Sequence, residues 1–266
     1  MISLNNPSKS ADGNPDKSFR LPVMVLLSLF SLNIPAQVSD TARIDGKWFN
    51  YPQCTGNARL DPSVSLLPAA IPEPPLKEEY LKPWREEQEI IRQANAEGRP
   101  IATHYTHCIP DGMPAMMMAM FPMEVLESPG QITIIQEAYN QVRRIYLDAE
   151  QVHYADAEPR FWGHSVGRWE GETLVVDTVG IKEDVRFREV PHSNQMRITE
   201  RIRLVSDNLM EDEVTVEDPV YLTGPWTWKW LYERRPEYRM YEYVCEDNRE
   251  YADPETGEAQ MRLLSE

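Results

Sequence analysis

The spacing of apolar and polar positions along this chain changes once. Between Leu76 and about Ala96, the residues Leu76, Tyr80, Leu81, Trp84, Ile90, Ile91 and Ala94 recur near the helical period. Glu78, Glu79, Lys82, Arg85, Glu86, Glu87 and Glu89 supply the opposite, charged face. Pro74 and Pro75 open this predicted helix, and Gly98 and Pro100 close it. Pro83 marks a kink or a first turn within it.

From Pro122 onward the period is two. Glu124 to Glu127 and Gln131 to Ala138 flank Pro129-Gly130 as a hairpin, and Tyr139-Asn140 leads into Gln141 to Leu147. Two strands follow in Phe161 to Ile181, around Glu170-Gly171. Beyond the loop Lys182 to Asn194 come Met196 to Ser206, Asp207-Asn208 as a turn, and Met210 to Glu217. Trp226 to Arg234 and Tyr238 to Cys245 flank Arg235-Pro236-Glu237. Short strands in series with no intervening helices predict a mainly β fold. The expected form is an antiparallel meander of about eight strands, as a curved sheet or lipocalin-like barrel, with the N-terminal helix packed on it. A β-sandwich is the alternative.

The N-terminal third changes the domain picture. Lys17 and Arg20 precede the apolar run Leu21 to Ile34, and Pro35-Ala36 follow, which is the pattern of a signal peptide. The run is short for a bilayer span. The expected organisation is therefore a leader over 1–36, one β-rich domain over 37–251 and a polar tail over 252–266. Residues 37–75 carry Pro52, Pro62, Pro68, Pro72, Pro74 and Pro75, which favours extended chain lying over the domain. Export implies a periplasmic or secreted location, with no membrane association once the leader is removed. Cys54, Cys108 and Cys245 then allow one disulfide and one free thiol, and Cys108 with Cys245 is the favoured pair. The net charge of -16 repels phosphate backbones and argues against nucleic-acid partners.

Candidate chemistry centres on Phe161 to Ile181. If Trp169 pairs with Glu172 across Glu170-Gly171, His164 stands opposite Asp177 on the same face. A carboxylate there would fix the imidazole tautomer and favour its protonated form, giving a candidate acid–base pair for a cofactor-independent lyase, isomerase or hydrolase. A satisfied structural pair is the plainer reading. Gly163 and Gly167 flank His164 and point to a bulge or to close approach of another backbone. GHSVG is not a nucleophile elbow, because its serine is not central and the setting is strand–turn–strand.

His104 and His107, next to Cys108, have the His-x-x-His spacing of a transition-metal site, with His192 or Glu246 as a further donor. A solvated loop is the plainer account of them, and a metal site the alternative. Met113, Met116, Met117, Met118, Met120 and Met123 suit core packing or an adaptable pocket lining. Trp226, Trp228 and Trp230 share one strand face, which reads first as core and second as a stacking surface. Arg143, Arg144, Arg234 and Arg235 fit solvated ion pairs. With no cofactor motif present, the leading expectation is an exported protein that binds a small hydrophobic or aromatic molecule. Its cavity would be lined by Trp162, Trp169, Met118, Met120, Trp228, Tyr243 and Glu246.

Four segments resemble a large, poorly characterised family of exported bacterial proteins: HCIPDGMP at 107–114, RRIYLD at 143–148, GHSVGRWEGETLVVDT at 163–178, and PWT at 225–227 followed by YEYVCEDN at 241–248. Ala149 stands where a glycine commonly follows RRIYLD in that family. The resemblance implies export and a single domain, and it transfers no activity or substrate.

Overall fold

The computed structural model describes residues 44–51, 71–98, 101, 108–118, 121–245, 250–252 and 259–261. Among them, nine strands close into a barrel: β1 (Gly46–Tyr51), β2 (Met123–Ser128), β3 (Gln131–Gln136), β4 (Gln141–Leu147), β5 (His164–Glu170), β6 (Thr173–Val179), β7 (Arg197–Ser206), β8 (Leu209–Glu217) and β9 (Trp226–Arg234). β1 pairs back onto β9, with Asn50 opposite Tyr232. A barrel with a helix beside it is the expected fold class, and closure of one sheet excludes the sandwich.

Three features differ from the predicted meander. β4 and β5 run parallel, with Ile145 opposite Ser165 and Leu147 opposite Gly167. A parallel pair requires a crossover, and residues 148–163 provide it outside the barrel. Gln151 ties that crossover to the wall, its Nε2 donating to the carbonyls of His164 (3.1 Å) and Asp177 (2.7 Å). Second, the ring is completed by β1 and not by a strand over Tyr238 to Cys245. β1 is short and carries aromatics on both faces, Trp48 inward and Phe49 and Tyr51 outward, so no alternation announces it. Residues after β9 instead run beside Glu137, whose carboxylate accepts from Tyr238 Oη (3.0 Å) and Tyr241 N (2.8 Å). Third, a small antiparallel pair spans the expected start of the polar tail, β10 (Glu250–Ala252) with β11 (Ala259–Met261).

Parity fills the barrel with side chains. Trp48, Val125, Ile132, Ile134, Ile145, Leu174, Val176, Ile198, Ile202, Val214, Trp228 and Trp230 are buried in one cluster. The tryptophan stripe packs on Phe187, with ring centroids 5.8 Å from Trp226, 5.3 Å from Trp228 and 6.0 Å from Trp230. Such burial stabilises the fold by roughly 1.5–3 kcal/mol for each large apolar side chain. On the outside, charges alternate with these positions. Lys229 contacts Glu211 (3.3 Å) and Glu213 (3.0 Å), and Arg203 contacts Glu211 (2.9 Å). The lumen is thus mostly apolar, with a few buried polar side chains, and the outer wall carries most of the charge.

Tight turns at Pro129-Gly130, Gly171-Glu172 and Asp207-Asn208 close one end. The longer connections gather at the other. Helix α1 (Glu78–Ala96) packs there: Trp84 Nε1 donates to Arg188 O (2.9 Å), and Leu76 bridges to Leu222. Pro83 lies inside α1. The short helix α2 (Ala115–Met118) covers the lumen at this end, with Met113, Met116 and Met117 buried. Three barrel side chains hold its successive carbonyls: Gln136 Nε2 on Met116 (2.6 Å), Tyr232 Oη on Met117 (2.8 Å) and Asn50 Nδ2 on Met118 (3.2 Å). The Cys108–Cys245 disulfide forms as favoured and joins the chain before α2 to the segment after β9.

Candidate functional site

The β5–β6 hairpin turns one residue later than expected. Glu170 pairs with Thr173 across Gly171-Glu172, and Gly171 has a φ of 62°. A two-residue turn with glycine in its first central position accommodates that angle without a Cβ penalty. The consequence is a shift in cross-strand partners: His164 faces Val179, and Asp177 faces Val166. The predicted His164–Asp177 opposition is therefore not formed. The predicted wall is also corrected. Ser165, Gly167, Leu174, Val176 and Thr178 point into the barrel, leaving His164 and Asp177 on its outer face.

Each of the two has its own partner. His164 Nε2 lies 3.0 Å from the Glu158 carbonyl oxygen. An acceptor-only oxygen there makes Nε2 the protonated nitrogen. Asp177 accepts both prongs of a guanidinium, from Arg197 Nε (2.6 Å) and Nη2 (2.5 Å). This bidentate pair fixes the carboxylate, and it raises the Arg197 pKa further above its usual value. Gly163, with a φ of 61°, sets the entry to β5; a Cβ there would stand 2.5 Å from Val179 O. Of the two expectations for the glycines beside His164, the favoured bulge and a close backbone approach, Gly163 shows the second.

Asp177 and Arg197 line a groove of about 720 Å³ on the outer wall near the α2 end. Its remaining walls come from the crossover (Gln151 to Tyr154), the end of β6 (Val179), the turn before β7 (Gln195), the end of β8 (Glu217) and the turn from Asp218 to Pro225. Apolar surface comes from Val152, Val179, Pro219, Leu222 and Pro225, and His153 stacks obliquely on Tyr154 at 4.2 Å. Asp218 is structural: its carboxylate accepts from the backbone N–H groups of Ser193 (2.6 Å), Val220 (2.8 Å) and Tyr221 (3.2 Å). These bonds hold the turn that forms one lip. The Arg197 side chain stays 55% exposed despite its ion pair, so it presents a cation to the groove.

The other predicted site residues are dispersed. Trp228 is buried in the lumen against Phe187. Trp169, half-buried, packs near the tight-turn end. Trp162 donates through Nε1 to Gln141 Oε1 (3.2 Å). Met118 ends α2, and Tyr243 packs outside on Phe121 (5.4 Å) and Tyr139 (5.1 Å). They line no common cavity among the described residues. His104, His107, Met120, Glu246 and the leader 1–36 lie outside the described residues, as does Cys54. His192 is buried, with Nε2 2.8 Å from Val185 O and Nδ1 3.1 Å from Ser193 O. Among the described residues no three His, Cys, Asp or Glu side chains cluster as metal ligands, and no helix is long and apolar enough to cross a membrane.

Arg143 overturns the expectation of a solvated pair. It is 1% exposed, reaches into the barrel from β4 and pairs with the buried Glu200 of β7. Its other N–H groups donate to Ser165 Oγ (3.2 Å) and Thr178 Oγ1 (3.0 Å). Nearer α2, Gln141 Nε2 donates to Asp111 Oδ2 (3.1 Å) and Gln136 Oε1 (2.7 Å), while its Oε1 accepts from Gly112 N (3.3 Å). Burial raises the Asp111 pKa, and the Gln141 bond partly offsets this.

Sequence reading missed Arg197, Gln151 and Gln195. The signal for Arg197 was present: strict alternation through Arg197, Thr199, Arg201 and Arg203 puts it on the outer face of the strand beside β6. Gln151 has no such signal, because only the crossover path brings it to the wall. In comparison with known proteins, no family model and no curated protein matches this chain.

Proposed function

We propose that this is an exported binding protein for a small molecule, and that its ligand occupies the outer groove at Asp177 and Arg197. The observation that carries the reading is the groove itself. It has the volume of a small-ligand site and combines apolar walls with a few fixed polar groups. The barrel lumen is a weaker candidate for a large apolar ligand, since tryptophans and methionines occupy it. Arg197 offers a guanidinium to a hydrogen-bonding substituent, while Val179, Leu222 and Tyr154 take an apolar or aromatic body. Asp177, Glu217 and Asp218 outnumber Arg197 along the lining, which favours neutral or cationic ligands over anionic ones. The Cys108–Cys245 disulfide supports export, because such bonds persist in oxidising compartments. The test is a thermal-shift screen with neutral, cationic and anionic aromatic compounds. The reading expects concentration-dependent stabilisation by members of the first two classes. Stabilisation by none of the three would overturn it.

A further inference from the structure

We propose that the lumen beneath α2 is a second, closed binding site, for a compact neutral molecule carrying a hydrogen-bond donor next to an acceptor. It is separate from the outer groove and does not rest on that reading. Asp212 of β8 is fully buried and points inward beside Val214 and Met210. Neither of its carboxyl oxygens has a hydrogen-bond partner among the described residues, and the same holds for Nε1 of Trp228 and Trp230. Trp230 stands directly opposite Asp212, and Trp228 is two residues away on the same inner face. The nearest cation is committed elsewhere, since Arg143 gives its N–H groups to Glu200, Ser165 and Thr178. Buried polar groups are almost always satisfied, and a cluster of exceptions calls for a partner. Here the cluster offers a carboxyl on one strand and two indole donors on the next. A group with adjacent donor and acceptor, such as a carboxamide, would complement all three.

The way in is α2. It is four residues long, and its Met116 and Met117 side chains are buried in the same core cluster as Trp228 and Trp230. Asp212 and Glu200 both act electrostatically on Tyr232, whose hydroxyl holds the Met117 carbonyl, so cluster and cover adjoin. Methionine repacks readily. Displacing these two side chains would release space for a ligand of their size without opening the strand ladder. The three bonds from Gln136, Tyr232 and Asn50 are what such a movement must break.

The test uses benzamide as probe, with the full chain and tryptophan fluorescence as readout. Wild-type protein should show a saturable change. Asn50→Ala, which frees the Met118 carbonyl, should bind about fivefold more tightly by raising the fraction of open molecules. Asp212→Leu, which removes both oxygens, and, as an independent check, Trp230→Phe should each weaken binding at least about fivefold. Arg197→Gln should leave it unchanged. No saturable response in either wild type or Asn50→Ala, or a response lost in Arg197→Gln and kept in both lumen variants, would overturn the proposal.

Discussion

Asp212 and Arg143 are the two residues on which the interior depends. The lumen encloses two carboxyls, Glu200 and Asp212, and one guanidinium, Arg143, which pairs with Glu200 alone. Burial, then the neighbouring Glu200, raises the Asp212 pKa well above its usual value, and Arg143 only partly opposes this. The folded state therefore binds a proton that the unfolded chain releases above about pH 4. This contribution to stability is full below the unfolded pKa and is lost as pH rises toward the folded one. Asp212→Asn removes the term. Thermal melts of the two proteins from about pH 4 to pH 7 should diverge, with the variant gaining on wild type as pH rises. Parallel curves would contradict the assignment. Arg143 has the opposite sign of effect. Arg143→Met leaves Glu200 buried without its cation and should cost about 3–5 kcal/mol in chemical denaturation, much of it recovered in Arg143→Met/Glu200→Gln.

The strands, α2 and the crossover differ in what holds them. The barrel strands are secured by ladders and by the inward aromatics, whereas the α2 end is tied by single side-chain bonds and by Cys108–Cys245. Reducing that disulfide should lower stability by about 2–4 kcal/mol. Its effect should be read as a drop in melting temperature with dithiothreitol, and an unchanged midpoint would show that the cross-link contributes little. The same division explains what could be read from the chain. β2, β3 and β7 to β9 announce themselves largely by alternation and by Pro129-Gly130 and Asp207-Asn208, because most inner and outer positions differ in polarity there, whereas β6 is buried on both faces and is marked mainly by its β-branched residues. β1 does not, with Trp48 and Phe49 adjacent. The parallel β4–β5 pair was not legible either, since strand direction depends on where 148–163 crosses and not on any local pattern. The His164–Asp177 opposition failed through one residue of turn placement at Gly171. The shift leaves both side chains on one face but moves each past its partner.

Across the whole molecule, the short-turn end is plain and the other end gathers α1, α2, the disulfide and the groove. Loops held by a rigid barrel are where binding surfaces are usually built. The groove draws its walls from four separate segments, so no single stretch of sequence marks it; Asp177 was singled out, and the partner that fixes it, Arg197, was not. The most direct measurement is isothermal calorimetry of the best stabilising compound against wild type, Arg197→Gln and Asp212→Asn. A ligand seated in the groove should bind Arg197→Gln at least about tenfold more weakly, from loss of a charge-assisted contact, and bind Asp212→Asn as wild type. Undiminished affinity in Arg197→Gln would contradict the groove as the site.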